Sequence, residues 1–350
     1  MSQIEERAVS PSSLPIPADT GRTTFTSTVE LREYLQSFDE YADYQSAEEL
    51  KQVIAIKTYL PYGVGMDLNP QDDGTFLCWP YPGQAAAEAG IRQGDILTGV
   101  DSFNITGVEP DKAALLIAGE NNSPVALTVW RDGERLEIIS PRQRTEIPGV
   151  SVSTSNGMPV VRIWRFNQQT AEDLRRNIDA GPLSSSEQYG FLILDLRGNT
   201  GGDLAFMREV AKLFLAKGTV IYSARSKNKA TVYRTESDGP YKNVNLVIWQ
   251  DNMTASSSEV LISALKQGKQ TVTMGQVSRG KACSQAVTRL KKGGMLRITT
   301  EMLFTSLGDS WEKTGLVPDK AAESESEFLQ GSKLIFSSKG DRNQAENISF

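Results

Sequence analysis

FLILDLRGNTGGDLAF, residues 191–206, decides the fold. Its first six residues are almost wholly apolar, which suits a strand covered on both faces, as in a parallel sheet. GNTGG is a glycine-rich turn, and apolar residues resume at helical spacing from Leu204. Outward from this stretch, strand and helix patterns alternate: PVVRIW (159–164), AEDLRRNI (171–178), VNLVIW (244–249), SSEVLISALKQG (257–268) and TVTMG (271–275). Residues 144–322 therefore read as an α/β (α+β) core of layered sheet and helices.

The flanks read differently. Residues 61–143 are short strands and turns, such as GVGMDL (63–68), DILTGV (95–100) and VALTVWRDG (125–133), with PDKAALLIAG (110–119) as one helix, which makes a small inserted β-rich module. In residues 29–60, Leu31, Tyr34 and Leu35, then Leu50, Val53 and Ile54, recur at three- and four-residue spacing and predict short amphipathic helices. Residues 1–28 have the Ser, Thr and Pro content of a flexible arm, and residues 323–350 return to Ser, Glu and Lys as a loosely attached tail.

Composition excludes whole classes of chemistry. The chain has 350 residues and no histidine, so a Ser-His-Asp triad, a Cys-His pair and an HExxH zinc site are all ruled out, and any general base is Lys, Asp, Glu or Tyr. A net charge of -6 gives no basic excess for nucleic acid. Cys78 and Cys283 are too few for a disulfide framework and have no metal-site spacing, so free thiols are expected, with no metal and no cofactor. No apolar run reaches the roughly 20 residues of a membrane span, and the first residues lack the apolar core of a secretory signal. As written the chain reads as cytoplasmic; a trimmed N-terminus would make it periplasmic or lumenal.

Three segments could carry chemistry. In DNMTASSSEVLISALKQG (251–268) a polar turn with three serines separates a buried strand from a helix opening at about Glu259, placing Ser258 at a helix N-terminus where backbone N–H groups are unpaired. Taken alone, the same residues read first as a helix cap and a polar turn. In the decisive stretch, Gly201 and Gly202 allow close backbone approach and could present N–H groups to an oxyanion. They also fit a tight turn beside an Asp195–Arg197 pair, while the GxxGG spacing departs from a dinucleotide fingerprint. GQVSRGKACSQ (275–285) satisfies GxxxxGK but places Ala282 where a phosphate loop needs Ser or Thr, and the sequence beyond it reads as a hairpin turning at Lys291–Gly294. If the segment is extended, Lys281, Cys283 and Gln285 share a face, and Gln285 can orient the lysine amine.

Taken together and in order, LILDLRGNTGGDL, TASSSEVLISAL, SRGKACSQ and GLVPD resemble the catalytic core of the carboxyl-terminal processing peptidases, or tail-specific proteases, over about residues 38–320. The resemblance implies a Ser-Lys serine endopeptidase with Ser258 as nucleophile, Lys281 as general base and Gln285 completing the group. The backbone of Gly201, Gly202 and Glu259 would then hold the oxyanion. Thr200, Ala282 and Arg279 depart from the family pattern without removing a reacting group. GVGM (63–66) and PGQAAAEAGIRQGDILTGVDSFNITG (82–107) are similar to the PDZ domain such enzymes carry.

That second likeness implies a peptide groove formed by Gly63, Val64, Gly65, Met66, Leu68, Leu115 and Leu116, which takes a free, apolar C-terminal tail as an added strand. The partner expected is thus a polypeptide. The rival readings are a catalytically silent PDZ scaffold and a different Ser-Lys acyl hydrolase. The first is opposed by the joint presence of Ser258, Lys281 and Gln285, the second by the peptide-binding module.

Overall fold

The computed structural model describes residues 25–51, 62–71, 73–155, 157–181, 191–227, 229–268, 271–291 and 293–345. Most of the expected arm and the end of the expected N-terminal helical segment lie outside these residues. The chain forms two compact units, one of residues up to Gln45 together with Gly149 onward, the other Ser46–Pro148.

The larger unit opens with α1 (Thr28–Gln36), whose first turn is closed by the Ser27 side chain accepting from the Glu30 N–H, and with β1 (Asp43–Gln45). The smaller unit then runs β2 (Tyr62–Gly63), β3 (Met66–Pro70), β4 (Phe76–Pro80), α2 (Ala85–Glu88), β5 (Ile96–Val100) and β6 (Phe103–Asn104). It continues with α3 (Pro110–Ile117), β7 (Pro124–Arg131), β8 (Glu134–Pro141) and β9 (Gln143–Arg144). Its main sheet has the order β3-β4-β5-β7-β8, so β3 is an edge strand, and β2 pairs with β9. Alternate residues of these strands, Phe76, Cys78, Val125, Leu127 and Val129, are buried together with Ala113 and Ile117 of α3. Pro110 opens α3, where a missing N–H does no harm.

The larger unit resumes with β10 (Val150–Ser155), β11 (Met158–Ile163), α4 (Thr170–Asp179), β12 (Leu192–Asp195), α5 (Leu204–Phe214), β13 (Val220–Arg225) and β14 (Ala230–Arg234). There follow β15 (Leu246–Gln250), α6 (Ser257–Gly268), β16 (Thr271–Gly275), β17 (Cys283–Arg289), β18 (Met295–Phe304), β19 (Lys320–Ala321) and α7 (Glu325–Ala345). One sheet has the order β10-β11-β12-β15-β16-β19, parallel from β11 onward; the other is β1-β18-β13-β14 with β17 paired to β18 as the expected hairpin. The apolar strands are buried as their composition demands, Leu192–Asp195 and Leu246–Gln250 throughout. On one face of the first sheet lie α4, α5 and α6, with Leu174, Val210, Phe214, Val260 and Leu261 in a common core.

The expected loose tail is instead α7, which covers the opposite face. Phe328 and Leu329 pack with Trp249 and Met274, and Ser332 accepts the Trp249 Nε1–H at 3.0 Å. Burying two such side chains contributes about 1.5–3 kcal/mol each. No helix among the described residues is long and apolar enough to cross a membrane.

Candidate active site

Parallel strands β12, β15 and β16 end on one edge of the sheet, the edge where α/β folds present their chemistry. The loops that leave these strands form the site.

The loop after β12 is held by charge. Asp195 is paired with Arg197 at 2.8 Å and Arg162 at 3.3 Å, all three side chains being nearly inaccessible. Burial works to raise the Asp195 pKa, but the two guanidiniums outweigh it and hold the carboxyl below its usual range. Beyond them the backbone turns left-handed at Gly201 (φ 105°). A Cβ at Gly201 would lie 2.9 Å from Ser257 Oγ and 3.0 Å from Ser256 Cβ, so only glycine lets the loop approach the serine turn. The Gly201 N–H already donates to Asn199 Oδ1 at 2.8 Å and is not available to an oxyanion. Among the described residues the N–H groups of Gly202 and Ser257 donate no hydrogen bond.

The loop after β15 is organised by Asp251, whose carboxylate accepts from the Gly198, Met253 and Thr254 N–H groups. The three serines that follow have separate fates. Ser257 donates from Oγ to the Gly202 carbonyl at 2.8 Å, and Ser258 donates to the Asn199 carbonyl at 2.9 Å; both residues are 0% exposed. The expected nucleophile, Ser258, therefore faces inward and fastens α6 to the glycine-rich loop, out of reach of a polymeric substrate. Ser256 differs. It is half-buried, holds a left-handed φ of 57° at the strand-to-helix turn, and its Oγ makes no hydrogen bond among the described residues. A non-glycine residue in that conformation stores strain of order 1–3 kcal/mol, which concentrates at functional turns.

The loop after β16 carries Lys281. Its Nζ donates to Gln285 Oε1 at 2.8 Å, the pairing expected from their spacing. Burial pushes the lysine pKa down, Arg297 and Arg279 add to that, and Cys283 and Glu312 oppose it. No carboxylate forms an ion pair with Lys281, and no hydrogen bond joins it to Ser256 or Ser258, among the described residues. Glu259, expected to offer its backbone N–H, contributes its side chain as well. The carboxylate is 0% exposed and accepts from the Ser256 N–H (2.8 Å), Ser278 Oγ (2.6 Å), the Gly280 N–H (2.7 Å) and the Lys281 N–H (2.9 Å). One buried side chain thus fastens the serine turn to the lysine loop. Ala282 is packed in the core, its N–H donating to Glu312 Oε2 at 2.6 Å. Sequence reasoning missed Ser256, Asn199 and Glu312, and the Glu of SSSE was the one signal that pointed to the brace.

In the smaller unit, Gly65 (φ 75°) gives the 63–66 turn its left-handed bend, and the Gln84 side chain lies against it. The Val64 and Gly65 carbonyls accept from Ala86 and Tyr81, whereas their N–H groups donate no hydrogen bond among the described residues. A cavity of about 200 Å³ opens there, lined by Gly63–Gly65, Gly83–Ala85 and residues 143–146. Arg144 on its wall supplies a cation and Glu146 an anion. Met66, Leu68 and Leu116 are partly buried against the core beside the free edge of β3. Two expected groove residues differ: Val64 is 2% exposed and part of the core, and Leu115 is 37% exposed on α3.

Residues 158–322 match the Peptidase family S41 profile, and residues 76–131 match the PDZ domain profile. The chain is 26% identical over 283 residues to a Staphylococcus aureus protein named "Probable CtpA-like serine protease", spanning 80% of this chain and 56% of that one, so it covers little more than half the length of that relative. It is 27% identical over 294 residues to a carboxy-terminal-processing protease of Bartonella bacilliformis, spanning 83% of this chain and 68% of that one. Its fold is similar to that of the photosystem II D1 C-terminal processing protease, with a TM-score of 0.65 at 21% identity over 95% of this chain and 94% of that one. The S41 match contains all three loops of the site and the PDZ match contains most of the smaller sheet, so in both regions the chain is similar to the carboxyl-terminal processing peptidases.

Proposed function

We propose that this chain is a serine endopeptidase in which Ser256 is the nucleophile and Lys281, oriented by Gln285, is the general base. The observation that carries the reading is the Glu259 brace, which ties the strained, accessible serine and the desolvated lysine to one side chain. Lys281 in its neutral form takes the Ser256 proton as Oγ attacks the peptide carbonyl carbon. The N–H groups of Gly202 and Ser257 donate to the oxyanion. The lysine ammonium then protonates the leaving amine, and a water, deprotonated by the same lysine, hydrolyses the acyl-enzyme. For this Nζ swings from Gln285 toward Ser256, a tightening that commonly accompanies substrate binding.

The substrate is an extended polypeptide whose C-terminal tail adds to the free edge of β3, with its carboxylate at the Val64 and Gly65 N–H groups. Incubation with an unstructured polypeptide, with cut sites mapped by mass spectrometry, tests the reading. Internal cuts by the wild type and none by Ser256→Ala are expected; wild-type cleavage by Ser256→Ala overturns the nucleophile. Slower cutting of an amidated twin peptide is expected from the tail-binding step, and equal rates overturn that step alone.

A further inference from the structure

Tyr41 lies in the turn between α1 and β1, remote in sequence from the lysine loop, yet three of its groups meet Lys281 or residues that touch its loop. Its carbonyl accepts Gln285 Nε2 at 2.7 Å, its hydroxyl donates to Glu312 Oε1 at 2.6 Å, and its ring centroid is 5.1 Å from Lys281 Nζ. Glu312 in turn takes the Ala282 N–H on its other oxygen. The turn is fixed from behind. Asp39 accepts the Tyr41 N–H at 3.1 Å and both the N–H (2.7 Å) and hydroxyl (2.9 Å) of Thr299, which stands opposite Gln285 in the β17–β18 ladder.

Resting on the reading of Lys281 as base, we infer that Tyr41 is the positioning residue of that base, presenting Gln285 to the lysine and seating the ammonium against an aromatic face. An amide has a donor end and an acceptor end, and an ammonium can only donate. With the Tyr41 carbonyl holding the donor end of Gln285, its oxygen is left facing Lys281. The ring lies within the 6 Å range over which an aromatic face attracts a cation, and so favours the protonated lysine. The charged groups around Lys281 are Arg279 and Arg297, which disfavour the ammonium, Glu312 and the Cys283 thiol, which favour its charge when ionised, and the Glu259 carboxylate on its backbone N–H. Burial, with help from Glu312, pushes the Tyr41 phenol well above its ordinary range, so it remains a donor wherever the enzyme works.

The test is kcat and KM as a function of pH for the full chain bearing Tyr41→Leu or Tyr41→Phe, with Lys281→Ala as control. Tyr41→Leu is expected to lower kcat on the order of tenfold with KM unchanged, because small displacements of a reacting group are amplified in rate. The acidic limb of kcat is expected to move to lower pH by roughly half to one unit, the lost cation–ring attraction expressed as a pKa. Tyr41→Phe keeps ring and carbonyl and is expected to keep the wild-type limb. A Tyr41→Leu enzyme with wild-type kcat and wild-type limb overturns the inference; Tyr41→Met, longer and still apolar, replaces it if the leucine variant does not fold. Wild-type activity in Lys281→Ala overturns the base itself, and the inference with it.

Discussion

Two buried carboxylates tie the site's loops together, Asp195 at the end of β12 and Glu259 in the first turn of α6, yet the two are satisfied in different ways. Asp195 meets two guanidiniums, and Arg197 goes on to pair with Glu325 of α7 at 2.9 Å and to lie over the Trp249 and Phe328 rings. Glu259 meets no cation among the described residues; its four partners are backbone N–H groups and one hydroxyl. The ionic brace belongs to the framework and joins a loop to a helix on the far face. The second brace joins the serine turn to the lysine loop, because its donors are the backbone N–H groups of Ser256, Gly280 and Lys281.

The largest stability effect is expected where the ionic brace is broken. Asp195→Asn removes the buried charge that two guanidiniums share and should destabilise the fold by about 3–5 kcal/mol, as measured by denaturant unfolding. Glu259→Gln turns an amide NH2 toward two N–H donors that an oxygen now accepts, a loss of about 1–3 kcal/mol. Its activity should fall further than its stability, on the order of 100-fold, as the serine and lysine loops lose their common tie. Equal losses of stability in the two variants would erase the distinction between the braces.

The same contrast appears against pH. Asp195 has a folded pKa below the unfolded value of about 3.9, so its contribution is complete above that value and is lost as pH falls through the folded pKa. Lys281 is displaced downward as well, but as a base: between its folded pKa and 10.5 the unfolded chain binds the extra proton, so this term makes stability rise with pH across that window. Cleavage should rise with pH through the same ionisation, and Lys281→Arg should be inactive, since guanidinium keeps its proton. A step near pH 6.5 cannot come from histidine, because the chain has none. The smallest effect is expected at Leu115, whose exposure on α3 puts Leu115→Ala within about 0.5 kcal/mol of wild type in thermal unfolding.

Strands such as FLILDL and VNLVIW were legible because a strand buried on both faces has no choice of composition. The helix α7 was hidden, since Ser, Glu and Lys are frequent in its sequence while Phe328, Leu329 and Ile335 are its buried apolar side chains among the described residues. In the site, Lys281 and Gln285 were legible from a four-residue spacing that brings them together. Ser256, Ser257 and Ser258 are the same letter three times, and only the handedness of the turn decides which of them faces out. The donor at Gly201 was misread because its partner, the Asn199 side chain, is a choice of local hydrogen bonding that spacing does not reveal. Tyr41 and Glu312 reach the lysine loop through the fold alone.

Which of the three serines reacts decides the mechanism. Treating the full chain with a serine-directed fluorophosphonate and mapping the adduct by peptide mass spectrometry reads this directly. The adduct is expected on Ser256 and is expected to be lost in Lys281→Ala, where no base remains to activate it; an adduct on Ser258, or labelling of Ser256 that is indifferent to Lys281, would contradict it.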